Sequence, residues 1–331
     1  MDPLTHAVAG GLASGSMAIK KEVRPAIFVG LVSGMLADLD FFIYRHEDPL
    51  FTIEVHRQFT HSLVFIPVGA LIAAILLFWF VRDRLPFSRV YLFAFAAYAT
   101  AGLLDACTSY GTVLLWPFSE NRFAWNLISI LDPMFSVGLL MFLFFSLFRW
   151  SPLFARLAWV WVTLYLAFGF VQRERADRLT AQLANQRSHV IEHSVVKPTL
   201  GNLVLWRSTY IADGRVYADG IRVGLVRGDR IYEGDSSPLV IPQTDFQRYR
   251  GTTLFEDLIR MSDLSEGYLV RHPEKPLVVG DARYAMLPTS LSPLWGVVVD
   301  TTRADEHLSF LYFRESGPDI RAPWLKMLRG Q

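Results

Sequence analysis

The chain has 331 residues, 52% of them hydrophobic and 19% charged, with a net charge of +1. The charged share lies below the roughly 25% of an average soluble domain, and the near-neutral balance removes any electrostatic case for binding nucleic acid. One cysteine, Cys107, excludes an internal disulfide and a thiolate-rich zinc centre.

Charge is unevenly distributed. Residues 1–171 are apolar, with charges confined to short gaps, whereas residues 172–331 carry most of the charge. The reading is two domains: a membrane helical domain over 1–171 and a polar, β-rich domain outside the membrane over 172–331. The expected fold is an α-helical polytopic membrane bundle of about five to six segments, followed by a β-rich (α+β) soluble C-terminal domain.

In chain order, the first element opens at Asp2-Pro3-Leu4-Thr5-His6. It lacks the basic start of a cleaved signal, so Asp2 and His6 are expected to remain in the mature protein. A helix here places Asp2 and His6 four apart on one face, though Asp at this position also suits a helix cap. Leu4–Ile19 is glycine- and serine-rich and reads as a half-buried or re-entrant helix. Ala26–Tyr44 is a span that carries Asp38 and Asp40 near its end. Those carboxylates are about 200° apart on an ideal helix, so either one ligates while the other orients a partner, or the helix end unwinds. The segment His56-Arg57-Gln58-Phe59-Thr60-His61 separates its histidines by about 140° and suits a loop-to-helix junction. Thr60 or Ser62 is expected to cap the next span, Ser62–Val81, 20 residues without a charge and long enough to cross a bilayer.

Val90–Leu104 follows and ends at Asp105, which shares a helical face with Ser109. Asn121-Arg122 lies in the next gap. Leu127–Phe148 contains Asp132-Pro133, a pair that fits both a cap and a ligand. Leu157–Val171 closes the apolar half, and Gln172–Gln186 reads as a charged helix leaving the membrane.

Alternating six segments puts Lys20, Lys21, Arg24, Arg82, Arg84, Arg89, Arg149 and Arg156 on one side, which is therefore expected to be cytoplasmic. Asp2, His6, Asp38, Asp40, His56, His61, Asp105 and Asp132 all fall on the other side. Carboxylates at membrane depth are costly and mark function. Aspartate and neutral histidine are the usual oxygen and nitrogen ligands of a divalent ion. His6, Asp38, Asp40, His56, His61 and Asp105 are the expected ligands of one or two ions, most simply Zn2+, with Mn2+ or Fe2+ as alternatives. Asp2 and Asp132 are candidates for general base, ligand or orienting group, and Arg57 and Arg122 for stabilising an anionic group. His46, His189, His193, His272 and His307 are left outside the site.

Asp-Pro-Leu-Thr-His at the start, Gly34-Met-Leu-Ala-Asp38-Leu-Asp40, His56-Arg-x-x-Thr-His61-Ser and Asp105-x-x-Thr-Ser together resemble the YdjM-type family of bacterial inner-membrane proteins, over about residues 1–170. The resemblance implies a membrane-bound, metal-dependent hydrolase in the bacterial inner membrane. It does not name a substrate. A site at a lipid–water boundary favours an ester or phosphoester of an amphiphilic or phosphorylated small molecule, attacked by metal-activated water. The bilayer is then the expected partner, and the site and C-terminal domain are expected on the extracytoplasmic side. A membrane-anchored scaffold with a structural metal and an ion transporter are the alternative classes.

In the polar half, Val190–Val196, Asn202–Tyr210, Arg215–Tyr217, Ile221–Val226, Tyr268–Val270, Val278–Val279, Gly296–Val299 and Leu308–Phe313 read as strands. Asp213-Gly214 and Asp219-Gly220 read as tight turns, and Leu254–Met261 as a short helix.

Overall fold

The computed structural model describes residues 1–225, 228–314 and 317–331. They form two compact units. One comprises Met1–Ile43, Val55–Phe170 and Leu200–Asn202; the other comprises Tyr44–Glu54, Val171–Thr199 and Leu203–Gln331.

The first unit is helical. It contains α1 (Pro3–Met17), α2 (Val23–Met35) and a 3-10 stretch, Leu36–Phe42. After α3 (Pro49–Val55), nearly all of which belongs to the second unit, a second 3-10 turn at Phe59–His61 leads to α4 (Ile66–Val81), α5 (Phe87–Ala106), α6 (Pro133–Arg149) and α7 (Pro152–Gln186), whose residues after Phe170 also belong to the second unit. Among the described residues, Lys20–Phe42, Phe87–Ala106 and Pro152–Gln186 are long and apolar enough to cross a membrane. Pro49–His61 with Ile66–Val81 adds a fourth only if its two bent halves count as one span.

The count is lower than five to six for identifiable reasons. Helix α1 is buried along nearly its whole length rather than presented outward. Ser62–Val81 is not one helix: Ser62–Phe65 forms a turn, leaving α4 with 16 residues. Helix α6 has 17. Conversely, the apolar segment ending near Val171 and the charged one after it are a single 35-residue helix, α7, about 52 Å long at 1.5 Å per residue.

Glycines set the helix spacing in this unit. A Cβ built on Gly10 would lie 2.5 Å from the Gly30 carbonyl oxygen, and one on Gly34 would lie 2.5 Å from that of His6. Helices α1 and α2 therefore touch backbone to backbone, the packing that small residues permit inside membranes. Ser14 ties α1 to α5 by donating to the Phe93 carbonyl at 2.8 Å. Outward faces are apolar: Ile72, Ile75, Trp79 and Phe80 on α4 and Met141, Phe144 and Phe148 on α6 are all exposed. Such a surface is stable against acyl chains, not water.

The second unit is built on two antiparallel sheets. The first contains β1 (His193–Pro198), β2 (Leu205–Ala212), β3 (Arg215–Arg222), β4 (Arg230–Tyr232) and β5 (Ser236–Pro238), in the order β1-β2-β3-β4 with β5 also pairing β3. The short α8 (Pro242–Asp245) and then α9 (Thr253–Leu264) follow. The second sheet runs β6 (Leu269–His272), β7 (Lys275–Asp281), β8 (Trp295–Val298) and β9 (Ser309–Tyr312), and α10 (Pro318–Arg329) ends the chain. Helix α9 buries Leu254, Leu258 and Met261 against Leu269, Val279 and Val297.

Asp213-Gly214 makes the expected hairpin turn, both residues lying at positive φ, 52° and 66°. Asp219-Gly220 does not turn. It lies inside β3, which merges Arg215–Tyr217 and Ile221–Arg222 into one strand. Asp219 is fully buried there because Arg187 donates to both its oxygens at 2.8 Å and the Gly234 amide donates at 2.9 Å. A satisfied buried carboxylate does not need the solvent that a turn provides. Val226, the expected end of the second of those strands, lies outside the described residues.

Candidate metal centre

Three local features bring distant ligand-type residues together. Helix α1 begins at Pro3 with Asp2 as its cap, which places His6 in the second turn. The Gly34 contact holds His6 beside the end of α2, where the chain tightens to 3-10 geometry through Asp38 and Asp40. The third is Gly102 on α5, where a Cβ would lie 2.2 Å from the His61 carbonyl oxygen, so α5 sits against the Phe59–His61 turn and presents Asp105 to it.

The resulting cluster is buried. His6, Asp40, Arg57, His61 and Asp105 are each 2% exposed or less. His6 Nε2 is 3.1 Å from Asp105 Oδ1. His61 Nε2 is 3.2 Å from Asp105 Oδ2 and 3.4 Å from Asp38 Oδ1. One ligand atom each of His6, Asp38 and Asp105 falls within 4.8 Å of the others. His61 Nε2, Asp38 Oδ2, Asp105 Oδ2 and His6 Nδ1 are buried without a properly formed hydrogen bond. Buried polar atoms are rarely left so.

Asp40 is different. Its Oδ1 is 2.7 Å from His56 Nδ1. Its Oδ2 accepts from the Arg57 amide at 2.9 Å and from Thr60 Oγ1 at 2.5 Å, and lies 3.2 Å from His61 Nδ1. Both oxygens have protein partners, which fits the alternative in which Asp38 ligates and Asp40 orients His56 and His61. His56 bonds Asp40, its ring lies edge-on to that of His61 with centroids 6.3 Å apart, and its side chain is 21% exposed, so it stands at the rim of the cluster. Thr60 serves Asp40 rather than capping the next helix, and this partner was legible only as a hydroxyl inside the histidine motif.

Arg57 sits at φ 60°, a left-handed conformation costly for a residue with a Cβ. It is held there by its own amide on Asp40, by Val113 N and Thr112 Oγ1 on its carbonyl, and by its Nε at 3.0 Å from Asp105 Oδ2. Arg57 Nη2 donates to the Met1 carbonyl at 3.2 Å, and the Met1 amine lies against Asp105. Arg122 donates to the His56 and Gly111 carbonyls. The Tyr110 ring, to which the motifs assign no role, lies 5.2 Å from the Arg57 guanidinium and 4.9 Å from that of Arg122.

Asp2 and Asp132 are caps. Asp2 accepts from the Thr5 amide and hydroxyl at 2.9 and 2.5 Å. Asp132 accepts from the Phe135 amide at 3.1 Å and from Tyr165 at 2.8 Å. Neither side chain has a hydrogen bond or ion pair to the His/Asp cluster among the described residues, although the Asp2 carbonyl accepts from the His6 amide at 3.2 Å and Asp132 Oδ2 is buried without a hydrogen bond. Asp105 and Ser109 do not share a helical face, because α5 ends at Ala106.

A second group, Asp48, Asp257 and His307, lies in the sheet-bearing unit. Arg260 already fills it, donating to Asp48, Glu54 and Asp257 at 2.7–2.9 Å. The guanidinium supplies the positive charge that an ion would otherwise bring.

Residues 1–176 match the family described as YdjM inner membrane protein. The chain belongs to that family. A curated relative, inner membrane protein YbcI of Escherichia coli (strain K12), is 29% identical over 182 residues, covering 51% of this chain and 95% of that protein. No solved structure matches. The match places this YdjM-family chain among inner-membrane proteins, in agreement with its apolar helices.

Proposed function

We propose that the YdjM-type unit is a membrane-bound, metal-dependent hydrolase, with His6, Asp38, His61 and Asp105 holding a divalent ion. One observation carries this reading: ligand atoms of His6, Asp38 and Asp105 lie within 4.8 Å of one another, His61 Nε2 lies 3.2–3.4 Å from both carboxylates, and each of the four residues keeps a buried polar atom without a formed hydrogen bond. Arg57 and the Met1 amine already meet Asp105, and a divalent ion would add the one centre that all four residues can share. Two imidazoles and two carboxylates suit zinc, with manganese or iron as alternatives. Bound there, a divalent ion supplies Lewis-acid activation of water toward an ester or phosphoester.

The protein's own residues divide the remaining work. Asp40 fixes the His61 ring through Nδ1, so that Nε2 faces Asp38 and Asp105. A carboxylate behind a histidine sets its tautomer and raises its basicity. Arg57 brings a guanidinium, with Nη1 uncommitted, beside Asp105, where it suits a phosphate or carboxylate oxygen. His56, tethered by Nδ1 and partly exposed, is positioned to carry protons at Nε2 between the cluster and solvent.

The substrate class is an amphiphilic, phosphorylated molecule, because the cluster sits at the end of apolar helices. By the loop charges, the site faces the extracytoplasmic side. A transporter is less well supported, since α4 carries no charge along its length.

The test is metal analysis of detergent-purified protein, wild type against His61→Ala, paired with hydrolysis of lipid phosphoesters with and without chelator. Stoichiometric metal lost in the variant, with turnover abolished by chelator, is the expected result. Equal turnover by metal-free protein would overturn the reading.

A further inference from the structure

The far end of the helical unit carries a cavity of about 380 Å³ lined by Lys20, Arg149, Trp150, Ser151, Pro152 and Phe154. Lys20 begins the apolar stretch whose other end holds Asp38 and Asp40, and Arg149 is the last residue of α6. The cavity therefore lies about 30 Å along that stretch from the His/Asp cluster, at the depth where apolar helices give way to headgroups.

Its charge is one-sided. Lys20, Arg24 and Arg149 form no ion pair among the described residues, and the neighbouring carboxylate of Glu22 is taken by Arg89. Arg24 stacks over the Trp150 ring at 3.7 Å, fixing the indole that walls the cavity. Trp150 is 44% exposed, as an aromatic at the bilayer interface is. Beside the cavity, Phe145, Phe148 and Leu153 are exposed and apolar. Unpaired cations at headgroup depth thus adjoin a surface suited to acyl chains.

We infer that this cavity is a binding site for an anionic phospholipid, its phosphate held by Lys20 and Arg149 and its chains laid along Phe148 and Leu153. Basic pockets between membrane helices recognise such headgroups through charge and shape. The site is separate from the His/Asp cluster, and the inference stands whether or not that cluster holds a metal.

Native mass spectrometry of the full chain tests it, with equimolar phosphatidylglycerol and phosphatidylcholine added to the detergent-purified protein. Retention of phosphatidylglycerol should exceed that of phosphatidylcholine about tenfold. Lys20→Ala with Arg149→Ala should bring the two to parity, while Lys20→Arg with Arg149→Lys keeps the preference. These side chains are exposed, and an unchanged melting temperature verifies that the alanine variant is folded. Equal retention in the wild type, or a preference that survives the double alanine variant, overturns the site. Displacement of the lipid by millimolar inorganic phosphate would identify a free anion as the occupant and overturn the lipid assignment.

Discussion

Asp40 steers His61 from behind: its Oδ2 lies 3.2 Å from His61 Nδ1, while the opposite ring nitrogen faces Asp38 and Asp105. The same carboxylate holds His56, Thr60 and the Arg57 amide. It ties these groups together behind the atoms that face Asp38 and Asp105. Asp40→Asn should therefore weaken metal binding about 10- to 100-fold, without removing a ligand. Isothermal titration with Zn2+ measures this, and wild-type affinity in the variant would show that Asp40 does not orient the site.

Gly102 is the spacer that lets α5 reach the His61 turn. Gly102→Ala forces a Cβ to within 2.2 Å of the His61 carbonyl oxygen, so backbone must move. A loss of about 1–3 kcal/mol is expected from overpacking, together with reduced metal content because His61 and Asp105 are driven apart. Thermal unfolding and metal analysis on one preparation check both effects.

Arg57 separates backbone from charge. Glycine is at ease at φ 60°, so Arg57→Gly should keep the protein folded while removing the guanidinium. If Arg57 meets an anionic substrate, turnover of a lipid phosphoester should fall about 100-fold or more, the scale for losing a charge-stabilising donor. Lysine, lacking the planar fork, should rescue little. Unchanged turnover in Arg57→Gly would place this residue outside the reaction.

Lys197 on β1 is buried in the sheet-bearing unit, its Nζ 3.7 Å from the Tyr284 ring centre and without a hydrogen bond. Burial, aided by the nearby Arg283, pushes its ammonium well below the ordinary value. A lysine depressed in this way costs stability wherever the unfolded chain would be protonated, and that cost fades as pH rises through the unfolded pKa of about 10.4. Lys197→Met should thus stabilise the protein by about 1–3 kcal/mol near neutrality, with the gain shrinking above pH 10. Denaturant melts at pH 7 and pH 10.5 provide the comparison.

Much of the molecule was legible in the sequence. Hydropathy separates the helical from the polar half, and the Asp/His clusters at segment ends single out His6, Asp38, Asp40, His56, His61 and Asp105, which the fold brings close together. Asp213-Gly214 announces its hairpin because positive φ at both positions favours those residue types. These features rest on composition and local backbone preference, which neighbouring residues determine among themselves.

What only the tertiary structure decided is how each acid is used. Asp2 caps α1, Asp132 caps α6 while its Oδ1 also accepts from Tyr165, Asp40 serves an amide and side chains 16 to 21 positions away, and Asp219 serves Arg187 within the second unit. The sequence alone cannot separate these from Asp38 and Asp105. Whether a carboxylate can grip an ion depends on which lone pairs remain after every nearby donor has been served. That balance is set by close approaches, such as Gly34 on His6 and Gly102 on His61, between residues far apart along the chain.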